Sequence, residues 1–108
     1  MTTSLPRNRA PTHPGEMLLE EFIKPHHLTQ TEAARRLGIS FPRLSEIIHG
    51  HRGVTPDTAL RLERLFGASA GLWLGLQQDW DLWQAMNGPA AKEILRLKPL
   101  AGAGNGIA

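Results

Sequence analysis

Apolar residues recur at helical spacing in five stretches of this chain, and each stretch is bracketed by residues that start or stop a helix. In the first, Leu18, Leu19, Phe22 and Ile23 form a stripe while Glu20 and Glu21 face outward. Pro14 opens it where a missing N–H costs nothing, Glu16 sits at the positive end of the helix dipole, and Pro25 ends it near Lys24. Thr29 caps the second, Glu32 three residues later completes a capping box, and the helix runs through Ala33, Ala34 and Leu37 to Gly38. Ser40 caps the third, which buries Leu44, Ile47 and Ile48 and stops at Gly50. Thr55, Pro56 and Asp57 open the fourth, whose apolar face is Leu60, Leu62, Leu65 and Phe66 and which Gly67 closes. Ser69 caps the fifth, which carries Leu72, Trp73, Leu74, Leu76, Trp80, Leu82 and Trp83 as far as about Met86. No stretch has a convincing strand pattern, and nothing repeats.

The flanks lack this periodicity. Residues 1–12 are polar and proline-containing and predict a flexible arm, in which Arg7 and Arg9 could touch phosphates. Gly88-Pro89 breaks the fifth helix, residues 90–98 fit one short amphipathic turn or strand, and AGAGNGIA predicts a flexible end. The expected organisation is an arm over 1–12, one folded domain over 13–86 and a tail over 87–108. A hydrophobic content of 41% in 108 residues suits one small core. There is no cysteine, so neither disulfides nor thiolate metal sites contribute. No apolar run approaches the roughly 18 residues that span a bilayer, and the first residues lack the apolar core of a signal peptide. A cytoplasmic protein is the expectation.

The second and third helices are joined by only Gly38, Ile39 and Ser40. Counting from Gln30, Ala34 is small where two helices cross closely, Gly38 suits a left-handed turn, and Leu44 and Ile47 anchor the second helix to the core. Together these offsets predict a helix-turn-helix. Net charge is only +2, but between Arg35 and Arg64 six arginines stand against Glu46, Asp57 and Glu63, an excess of three positive charges. Arginine is the side chain suited to bidentate phosphate and guanine contacts. The third helix would then offer Phe41, Pro42, Arg43, Ser45, Glu46 and His49 to a major groove, with Ser40 at its cap. Arg43 is the strongest candidate base reader; Glu46 would accept from a cytosine amino group or orient Arg43 from three residues away. Ser45 would serve a phosphate or base edge, and Gln30 and Arg52 would bond phosphates. Phe41 would contact a thymine methyl, or pack and leave reading to Arg43. In the fifth helix Trp73, Leu76, Trp80 and Trp83 make a seam whose apolar surplus implies a partner, unless all of it is intramolecular core. Pairing through it would set two recognition helices about 34 Å apart, as a palindromic operator requires.

The segments HPGEMLLEEFIKP (13–25), LTQTEAARRLGIS (28–40), RLSEIIHGHRGVTPDTALRLERLFG (43–67) and WLGLQQDWDLWQA (73–85) together resemble the HigA-type antitoxins of the Cro/C1 (XRE) helix-turn-helix family. The resemblance implies an all-α, five-helix, lambda-repressor-like domain. It also implies a homodimer that binds double-stranded operator DNA in its own promoter and captures a HigB-like toxin, a RelE-like mRNA endonuclease. Phe41-Pro42 is the departure, because relatives usually carry polar groups there, and it leaves the operator sequence open.

Catalysis is not expected. His13, His26, His27, His49 and His51 have no zinc-type spacing, the serines have no nucleophile motif, and no glycine-rich phosphate loop is present. No cofactor or metal is expected. Two other readings stay open on the residues: a stand-alone regulator of the same fold with no toxin, and a protein-binding module whose helix-turn-helix no longer reads DNA.

Overall fold

The computed structural model describes residues 9–101. Residues 1–8, with the candidate phosphate contact Arg7, and residues 102–108 lie outside the described segment. Among the described residues the fold is all-helical. The first helix, α1, is α-helical over Pro14–Met17 and continues as π-helix over Leu18–Ile23. It is followed by α2 (Gln30–Leu37), α3 (Phe41–Ile48), α4 (Pro56–Phe66) and α5 (Ala70–Met86). A sixth short helix, α6 (Ala91–Leu95), lies in the expected tail, where a turn or strand had been the choice. Its AKEIL sequence is made mostly of good helix formers, and the break at Gly88-Pro89 separates it from α5.

The expected caps form. Thr29, Ser40, Thr55 and Ser69 each accept a backbone N–H from three residues ahead, at 3.0, 3.2, 3.3 and 3.1 Å. Gly38, Gly50 and Gly67 take φ of 73°, 77° and 90°, the left-handed region that ends α2, the turn after α3, and α4. The capping box at α2 is half made. The Glu32 carboxylate turns to Arg35 and Arg36 instead of the Thr29 N–H, and these guanidinium contacts hold its pKa down at about 2.

The core is Leu18, Ile23, Ala33, Ala34, Leu37, Leu44, Ile47, Val54, Ala59, Leu62 and Trp73. In α1 the Lys24 N–H bonds to the carbonyl of Leu19, five residues back, and this wider turn lets Leu18 and Ile23 both face inward. Leu60 departs from expectation. It is 59% exposed, because α4 turns Ala59 and Leu62 to the core and Leu60 falls beside that face. Trp73, with no exposed surface, packs against Phe22 at 5.3 Å between ring centroids, and Phe22 against Phe66 at 5.3 Å. These three rings tie α1, α4 and α5 together.

The segment His13-Pro14-Gly15-Glu16 is a joint. The His13 Nδ1 accepts the Gly15 N–H at 2.9 Å, and Pro14 occupies the first turn. Gly15 lies against the end of α3 so closely that a Cβ there would sit 1.8 Å from the Ile47 carbonyl oxygen and 2.9 Å from the Ile48 Cα. The His13 ring stands edge-on to Trp80 of α5, centroids 5.0 Å apart.

Gly15→Ala will therefore force α1 off α3 and cost about 2–4 kcal/mol of unfolding free energy, read from urea denaturation. His13 makes a pH-dependent contribution. Burial lowers its pKa from 6.5, against the opposing charges of Asp81 and Glu16, and its capping Nδ1 must stay unprotonated. A folded-state pKa below the unfolded one means the unfolded chain takes up the proton first as pH falls. This stabilisation is therefore complete above pH 6.5 and is lost as pH drops through the folded-state pKa. Urea midpoints will fall between about pH 7.5 and about pH 5.5 more in the wild type than in His13→Asn.

Candidate nucleic-acid interface

Helices α2 and α3, joined at Gly38-Ile39-Ser40, form the expected two-helix unit. The Ile39 N–H returns to the Ala34 carbonyl at 3.1 Å, and Leu37, Leu44 and Ile47 are buried beneath it. Helix α3 enters the core by its C-terminal end and leaves its first turn outside. Phe41 is 46% exposed, and Pro42, Ser40 and His49 are exposed with it. Gln30, at the N-terminus of α2, is partly exposed.

The polar residues assigned to reading are held by partners within the chain. Arg43 does not project freely: one guanidinium nitrogen donates to Thr58 Oγ1 at 2.6 Å and to Asp57 Oδ2 at 2.9 Å. Asp57 in turn accepts from Arg61 Nε at 2.9 Å, and Arg61 donates to the carbonyls of Leu37 and Gly38 at 2.9 and 3.3 Å. The first turn of α4 thus clamps the end of α2, the turn and α3 through one carboxylate. Asp57 has its pKa lowered, first by Arg61 and then by Arg43, so it stays ionised. Glu46 pairs with Arg52 at 2.7 Å rather than orienting Arg43, since Arg43 is drawn to α4. The His49 Nδ1 lies 2.8 Å from the Ser45 carbonyl oxygen, and its ring stacks on His51 at 6.3 Å.

Sequence reasoning missed the clamp, although Asp57 and Arg61 carry its signal: opposite charges four residues apart at a helix start. It also missed Gln77, which bonds the Val54 N–H at 2.8 Å. The tryptophan seam lies mostly inward. Trp73 is wholly buried and out of reach of any partner, and Leu76, Trp80 and Trp83 are partly buried. The helix is instead apolar on its outer side, where Leu72, Leu82 and Met86 are 41%, 47% and 49% exposed. No helix among the described residues is long and apolar enough to cross a membrane.

Residues 19–73 match the helix-turn-helix family. Virulence-associated protein I of Dichelobacter nodosus is 46% identical over 80 residues, 73% of this chain and 74% of that protein. The structure of antitoxin GraA superposes with a TM-score of 0.80 at 34% identity, covering 86% of this chain and 100% of that one. The Pseudomonas aeruginosa antitoxin HigA, solved with the higBA promoter, gives 0.77 at 36% identity, covering 83% and 98%.

Removing the Arg43 guanidinium by Arg43→Ala will lower the unfolding free energy by about 1–2 kcal/mol, because Thr58 and Asp57 lose a charged partner. A guanidinium that served DNA alone would leave the urea midpoint of the free protein unchanged.

Proposed function

The chain belongs to the XRE-type helix-turn-helix family, in its HigA branch, and from that premise we propose that it is a DNA-binding antitoxin. It binds a palindromic operator in its own promoter as a homodimer, represses its operon, and captures a HigB-like toxin in the cytoplasm. The observation that carries the DNA reading is the presentation of α3. Its first turn is capped by Ser40, braced from behind by the Arg43–Asp57–Arg61 clamp, and leaves Phe41 and Pro42 outermost. That turn is the part a helix-turn-helix offers to base edges. Phe41 is exposed enough to meet a thymine methyl, which makes the apolar step at Phe41-Pro42 the source of an operator preference. Gln30, Ser45, Arg52 and His49 flank it as phosphate or base-edge contacts, and Glu46 reaches the groove only by exchanging its bond to Arg52.

The outer side of α5 supports the dimer reading. Leu82 and Met86 line an apolar groove with Ile94 and Leu95 of α6, and the latter two are 52% and 84% exposed. A patch of this kind on a small domain marks an association surface.

The purified protein will retard its own promoter fragment in a gel-shift titration, and Phe41→Ala will weaken binding by about 1 kcal/mol while leaving the unfolding free energy nearly unchanged. Lack of retardation at micromolar protein in low salt would refute the DNA reading. Co-expression with the adjacent gene tests the toxin: a small basic protein will co-purify, and its absence would leave a regulator without a toxin.

A further inference from the structure

The residue that fixes the far side of the interface is on α5. The loop from α3 to α4, residues 49–55, carries Arg52 and ends on Thr55, the cap of α4. Its Val54 is 4% exposed, and the Val54 N–H has the Gln77 carboxamide oxygen as acceptor at 2.8 Å. The carboxamide nitrogen of Gln77 donates to Asp81 Oδ1 at 3.0 Å, one turn further along α5. These two bonds set the orientation of the group: the reverse flip would put an NH2 against an N–H and an oxygen against a carboxylate. Gly53 passes flush across the carboxamide, since a Cβ there would lie 3.0 Å from the Gln77 Cδ and Nε2. The loop is thus held by one polar side chain from an otherwise largely apolar helix. That side chain sits between Trp73, locked in the core, and Trp80, which meets the His13 ring edge-on.

We propose that Gln77 is a positioning residue for DNA binding: it holds the α3–α4 loop on α5, so that Arg52 and the first turn of α4 meet the phosphate backbone in register with α3. This rests on the operator-binding reading above. Arg52 is 51% exposed and is tied to Glu46 across the end of α3. Glu46 holds the Arg52 guanidinium, and the Val54 N–H bond to Gln77 holds the backbone two residues further on. Without Gln77 the Val54 N–H loses its acceptor, the loop lifts, and the phosphate contact is lost while the bases read by α3 are untouched.

The test is the salt dependence of operator binding by the full chain. Gln77→Leu will lower affinity about fivefold or more at moderate salt and reduce the slope of log K against log salt by about one, with discrimination between operator and single-base variants retained. In an Arg52→Ala background the same change will have little further effect. The double variant Gln77→Glu, Asp81→Asn keeps an acceptor for Val54 and reverses the donor–acceptor pair, and it will restore both affinity and slope. In the free protein, trypsin will cut after Arg52 faster in Gln77→Leu than in the wild type, a readout that needs no DNA. A wild type that binds, with Gln77→Leu matching it in slope or losing affinity additively with Arg52→Ala, overturns the inference and leaves operator binding standing. A wild type that does not bind overturns both. Should Gln77→Leu fail to fold, the double variant decides: loss of affinity in a folded protein counts against the brace.

Discussion

The structure turns on a contact that admits no side chain. Gly15 of α1 lies on the backbone of Ile47 and Ile48 at the end of α3, where even a methyl group would overlap the Ile47 carbonyl. Two helices pressed together this closely have one relative depth. The C-terminal end of α3 is sunk against α1, so its N-terminal turn must be the part that stands out. His13 fixes the start of α1 by accepting the Gly15 N–H, and the same ring leans on Trp80. One short segment therefore aligns α1, α3 and α5, and the direction in which Phe41 and Pro42 point follows from it. The HPGE segment, a family mark in the sequence, has a packing cause: histidine as cap, proline for the first turn, and glycine because only hydrogen fits.

At the other end of α3 the constraint is electrostatic. Asp57 stands between Arg43 and Arg61, and Arg61 also satisfies carbonyls at the end of α2. The backbone-defined turn at Gly38 is closed over by α4, so the two helices are held at both ends. The exposed pairs are weak in water, each worth about 0–1 kcal/mol. That weakness would suit the proposed binding of a polyanion at this surface. Glu46–Arg52 is one such exposed pair, and on the proposed reading a phosphate would replace the carboxylate at little cost. Arg43 differs, because it is only 28% exposed and also bonds Thr58.

The helices, their caps and the turn were legible because each depends on a few neighbouring residues: Thr29, Ser40, Thr55 and Ser69 before apolar periods, Gly38 and Gly67 after them. The helix-turn-helix followed from spacing alone. What stayed hidden depends on partners distant in sequence. The period of α4 offered Leu60 to the core as readily as Ala59, and only packing against the other helices chose between them. Arg43 looked like a base reader because nothing near it in sequence is acidic except Glu46; its partner lies fourteen residues away on another helix. Glu32 had three nearby donors, and two guanidinium groups outcompeted one backbone N–H. The π-helical turn stayed hidden because, five residues apart, Leu18 and Ile23 would lie about 140° from each other on an ordinary helix, and only packing calls for the wider turn that brings both inward.

The seam on α5 shows the same limit with a larger consequence. Trp73, Leu76, Trp80 and Trp83 share a face, but a shared face says nothing of what covers it. Here the domain itself covers much of it, through Phe22 on Trp73 and His13 on Trp80. That leaves Leu72, Leu82 and Met86 on the outside, on a helix whose inner side is already committed. Association through the outer side would therefore act on a helix that cannot shift alone. Its inner side touches the start of α1 through Trp80 and the loop after α3 through Gln77, two segments that flank α3. On the proposed reading, a partner on the outer side of α5 and DNA at the first turn of α3 would be connected by one helix, with Trp73, Trp80 and Gln77 as its points of contact with the rest of the domain.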